Sequence, residues 1–86
     1  MSGSKSQGLK HPAVAVHWLD AHMTDEQLRP DEITHKPARQ VTIGFLLRDD
    51  AVGVSLAVEY NHDDPTDVRT TYFIPRGMIR RVQRLR

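Results

Sequence analysis

From Gln40 to Leu85 apolar side chains recur at every second position, in runs separated by turn-forming residues. Val52, Val54, Leu56, Val58 and Tyr60 make the longest run, and a period of two places side chains alternately on the two faces of a strand. Val41, Ile43, Phe45 and Leu47 precede it, on what the alternation predicts to be one face of a strand from Gln40 to Arg48. Only Asp49-Asp50-Ala51 lies between that strand and the next, Val52 to Tyr60, which predicts a hairpin with a short polar turn.

The rest of the chain extends this pattern. Asn61 to Asp67 has the composition of a loop, and Val68 to Ile74 reads as a further strand. Thr70, Tyr72 and Ile74 face one way in it, and Arg69, Thr71 and Phe73 the other; each face carries an aromatic, so alternation leaves the inner one open. Pro75 cannot donate to a ladder and ends the strand. Gly77-Met78-Ile79 fits one tight 3₁₀ turn into a last strand, Arg80 to Leu85, anchored by Ile79, Val82 and Leu85. Upstream, Ala13 to Leu19 alternates Val14, Val16 and Trp18 against Ala13, Ala15 and His17. Thr24 and Gln27 form a capping box for a short helical turn through Leu28, which Pro30 limits. Arg29 to Arg39 is too polar for a strand and too proline-broken for a full helix, and reads as a connection. The prediction is a mainly β protein whose five antiparallel strands close, or nearly close, into a small barrel, which removes sticky sheet edges.

The order strand, proline, single 3₁₀ turn, final strand in Phe73-Ile74-Pro75-Arg76-Gly77-Met78-Ile79-Arg80-Arg81-Val82 resembles the close of an SH3-like or Sm-like small barrel. That resemblance implies a five-stranded SH3-like barrel in which the long connection after the first strand stands for the large first loop. The chain departs from peptide-binding SH3 domains in lacking their aromatic cluster with its paired tryptophan. It departs from Sm-like RNA-binding rings in lacking an Asn-Gly base-binding motif. Trp18-Leu19-Asp20-Ala21, Val41-Thr42-Ile43-Gly44-Phe45-Leu46 and Ile74-Pro75-Arg76-Gly77-Met78-Ile79 are also similar to small uncharacterised proteins of actinobacteria and their phages. This resemblance bears on origin and implies no activity.

Eighty-six residues hold one domain at most, expected over residues 11–86 behind a small, polar, disordered tail at 1–10. A chain this short buries only about 60 % of its unfolded surface, so a second copy pairing edge strands is a further expectation. No cysteine is present, which excludes disulfides and thiolate metal sites. No apolar run approaches the ~20 residues that cross a bilayer, and no signal-peptide segment opens the chain. The expectation is a protein of the cytoplasm, the host cell's if phage-encoded, with no membrane partner.

Chemistry is sparse. His17, Asp20 and His22 lie close together with His11 and His35 nearby, but their strand positions imply no convergence on a metal. Asn61, Asp63 and Asp67 are spaced like a calcium loop, yet Thr66 and Tyr72 stand where an EF-hand needs glycine and glutamate. Ser55 lacks the second glycine of a nucleophile elbow. We therefore expect no enzyme, no cofactor and no metal.

Charge is distributed unevenly although it sums to +1. Arg76, Arg80, Arg81, Arg84 and Arg86 crowd the last segment, where no acid occurs, while acids pair up at Asp25-Glu26, Asp31-Glu32, Asp49-Asp50 and Asp63-Asp64. The arginines either solubilise a terminal edge strand, pair with the acidic loops, follow a nucleic-acid backbone, or receive an acidic protein. The reading preferred on balanced net charge is a non-enzymatic module that binds a macromolecule, a protein before a nucleic acid, with those arginines as the candidate surface.

Overall fold

The computed structural model describes residues 9–21, 27–32 and 36–86. Its strands are β1 (Ala13–Asp20), β2 (Ala38–Asp49), β3 (Gly53–Tyr60), β4 (Val68–Pro75) and β5 (Ile79–Arg84), with 3₁₀ turns at Pro30–Glu32 and Arg76–Met78. They form one antiparallel sheet in the order β4-β3-β2-β1-β5. The expected 3₁₀ turn before the last strand is present, beginning one residue early at Arg76. The helical turn expected at Thr24–Leu28 falls largely outside the described residues, as do residues 1–8 of the expected tail. Lys10, placed in that tail by composition, donates its amide to the Tyr60 hydroxyl at 3.1 Å.

The sheet is not closed into a barrel. β4 pairs only with β3, and β5 only with β1, among the described residues. Just three residues link β4 to β5, and on leaving that turn each strand runs along a different neighbour. Both outer strands are therefore edges. β5 shields its edge with exposed Arg80, Arg81 and Arg84. β4 exposes Arg69, Thr70 and Thr71 and kinks at Thr70, whose φ of 55° is the left-handed region a β-branched residue seldom enters.

Val14, Val16, Val54, Leu56 and Ile74 form the fully buried core, with Trp18, Leu46, Met78, Ile79 and Val82 packed against them. Opposed residues of an antiparallel pair share a face. Val16 thus aligns with Thr42 and Val82, Val14 with Gly44, Leu46 with Leu56, and Val54 with Ile74. This settles the inner face of β4 as that of Ile74 and Tyr72.

β2 turns its less apolar face inward. Thr42, Gly44 and Leu46 face the core, while Val41 and Ile43 are exposed. The core valines and Leu56 already occupy the space, so the face of β2 carrying the small side chains fits against them. Leu47 is the extra residue of a bulge, between the pairs Leu46–Leu56 and Arg48–Ser55. A second bulge lies in β5: Trp18 opposes Ile79 and His17 opposes Arg81, leaving Arg80 as the extra residue. That bulge lets Ile79 and Val82, three positions apart, both reach the core.

Candidate functional site

The five arginines of the last segment have different surroundings in the fold. Arg76 turns to the β2–β3 connection, pairing with the Asp49 carboxylate and donating to the Asp50 carbonyl from Nε at 3.2 Å and Nη2 at 2.8 Å. Its own amide donates to the Val52 carbonyl at 3.0 Å. Arg76 is a clamp on the turn. Arg84 and Arg86 are exposed towards the far end of β5.

Arg80 and Arg81 belong to a different surface. They line a groove of about 510 Å³ with His17, Trp18, Leu19 and Arg39. The pairing explains the gathering: β1 lies between β2 and β5, with Leu19 opposite Arg39 and His17 opposite Arg81. Arg81 Nη2 donates to His17 Nε2 at 3.1 Å and to Gln83 Oε1 at 3.3 Å, which fixes the guanidinium over the sheet. Trp18 donates its indole N–H to Thr42 Oγ1 at 2.9 Å. Among the described residues no carboxylate lies within ion-pairing distance of Arg39, Arg80 or Arg81. Arg39 escaped the sequence reading because the polar run before Gln40 looks like connection. β2 begins two residues earlier, at Ala38, so Arg39 is a strand residue.

Beside this groove lies an apolar cleft. β2 pairs with β1 along Ala38–Phe45 but with β3 only from Phe45 onward. Where the two strands part, a cavity of about 410 Å³ is lined by Val41, Ile43, Val58, Thr70 and Tyr72, among others. Val41 is 56 %, Ile43 66 %, Val58 60 % and Tyr72 50 % exposed, a cluster of large apolar side chains around the buried Leu56 and Ala57, which also line the cleft. Val41 lines both depressions, so groove and cleft adjoin at that residue. The one sequence signal for the cleft was the apolar alternation of β2 that puts Val41 and Ile43 on one face.

The other candidates have local duties. His11 Nε2 donates to the Pro65 carbonyl at 2.8 Å, and its ring meets Tyr60 edge-on at 4.7 Å. His17 faces Arg81 and Gln83. His22 and His35 lie outside the described residues. No group of three potential metal-ligating side chains forms among the described residues. In the Asn61–Asp67 loop, Asn61 Oδ1 accepts from the Asp63 amide at 2.8 Å, and Asp64 Oδ1 from the Thr66 amide and hydroxyl at 3.2 and 2.6 Å. These acidic and amide groups hold the turn. No helix among the described residues is long and apolar enough to cross a membrane.

No protein-family model matches the chain, and no curated protein or solved structure is significantly similar to it.

Proposed function

We propose that this chain is a non-enzymatic binding module of SH3-like, barrel-type architecture whose partner is a protein. The strand order and the 3₁₀ turn entering the last strand support the architectural reading. One observation carries the functional one: Val41, Ile43, Val58 and Tyr72 form an exposed apolar cleft that also holds Thr42 and Thr70 and adjoins the basic groove at Val41. Contiguous apolar surface of this kind, left exposed beside the core, marks a surface that another protein covers. The partner is met in the cytoplasm, that of the host if the gene is a phage's.

Nucleic acid is the second reading, and Arg80, Arg81, Arg84 and Arg86 are its motive. Against it, Arg76 is committed to Asp49 and Asp50, and single-strand binders interleave their cations with free aromatic platforms, whereas Trp18 beside Arg80 and Arg81 is packed against the core and bonded to Thr42.

Affinity capture from a bacterial lysate tests the preferred reading. The wild-type protein retains a specific protein, and the double variant Val41→Asp/Ile43→Asp, verified as folded, loses it. Recovery of nothing specific, or equal recovery by the variant, overturns it. Binding of a DNA oligonucleotide that weakens with salt and vanishes in Arg80→Glu/Arg84→Glu establishes the second reading instead.

A further inference from the structure

Taking the protein-binding reading as its basis, we infer that the cationic groove selects the partner: it receives carboxylates, and the bound segment is an extended, acidic stretch of polypeptide whose apolar residues enter the adjoining cleft. Arg39, Arg80 and Arg81, from two strands, line one depression, and among the described residues no Asp or Glu lines it or the cleft. A guanidinium forks onto a carboxylate in a way that fixes geometry as well as charge. Arg81 is already held in place by His17 and Gln83, so little of its freedom remains to be lost on binding.

The spacing specifies the segment further. Arg39 and Arg81 sit on the two neighbours of β1, opposite residues two positions apart, Leu19 and His17. Strand separation and rise put their backbones about 12 Å apart. An extended peptide spans that distance in three to four residues, so the segment carries acidic residues at that interval. Leu19 and Val41 give the groove aliphatic walls between the cations, which suit the side chains of a peptide. A phosphodiester strand would seek stacking surfaces, and Trp18, the one indole, is packed against the core and bonded to Thr42.

Selection from a phage-displayed library of random dodecapeptides, with the whole chain immobilised, tests this. The wild type enriches peptides with two acidic residues three to four apart beside apolar ones. A synthetic copy of an enriched peptide binds Arg39→Glu or Arg81→Glu at least about tenfold more weakly, as loss of an interface arginine commonly does. Arg76→Ala binds it with unchanged affinity, because Arg76 clamps the turn. Enriched peptides without acid, or acidic peptides indifferent to Arg39→Glu and Arg81→Glu, overturn the inference while leaving a protein-binding cleft. Peptides retained by Val41→Asp/Ile43→Asp overturn the cleft itself. Failure of the wild type to enrich any peptide, or displacement of the peptide by an oligonucleotide at equal concentration, overturns the acidic-peptide assignment.

Discussion

A methyl group on Gly44 would sit 2.9 Å from the carbonyl oxygen of Ala57 and 3.2 Å from Leu56 Cβ. That close approach is what lets β2 lie flat on the core with its small face inward. Gly44→Ala should cost about 1–3 kcal/mol through overpacking, read as a lower urea midpoint with an unchanged slope. A cost below about 0.5 kcal/mol would mean that β2 moves freely against β3. Gly53 answers a similar demand: a side chain there would run into the Ile74 carbonyl and the Phe73 ring. Neither close approach was legible in the sequence, because the atoms that forbid a Cβ come from residues a strand away. The deciding quantity is a distance between strands, which no local window contains.

Among the elements, the β2–β3 connection was the easiest to foresee and shows why acids belong in it. The Asp50 carboxylate accepts from Arg48 Nε at 2.6 Å, from the Val52 amide at 2.9 Å and from the Gly53 amide at 3.3 Å. These bonds, Arg48 foremost, hold its pKa below the ordinary aspartate value of 3.8. A depressed folded pKa contributes stability that is present above the unfolded pKa and is lost as pH falls through the folded one. Asp50→Asn should therefore be less stable than wild type at neutral pH, with the gap narrowing as pH drops below about 4. Denaturant titrations at a series of pH values measure this, and a gap that widened towards acid would contradict it. The two bulges were illegible by comparison. A strict period of two cannot represent an extra residue, so Arg80 and Leu47 shifted the alternation in β5 and β2 without any mark in composition. Yet Ile79 and Val82, both apolar and three apart, were the trace of the first bulge.

For the whole molecule, the apolar residues that line the cleft differ sharply in burial. Leu56 is 1 % exposed at the centre of the core, and Ile43 is 66 % exposed on the cleft. Leu56→Ala should cost about 2–5 kcal/mol, a large part of what a domain of this size has. Ile43→Thr, which keeps the β-branched shape, should change stability by less than about 0.5 kcal/mol. Thermal or chemical unfolding of both variants compares them directly. Equal losses would show that the cleft is part of the core and remove the motive for a partner.

Local chemistry sufficed to place the strands, the polar turns and the 3₁₀ link, because backbone preference, proline and short-range hydrogen bonding act within a few residues. It also sorted the charges into acidic turns and a basic last strand. Which apolar face turned inward, which arginines met, and whether the sheet joined its ends were decided only when strands far apart in the chain came together. Packing volume and cross-strand register are properties of pairs, and only the neighbours β1 and β3 decide that β2 turns Thr42, Gly44 and Leu46 inward and leaves Val41 and Ile43 outside.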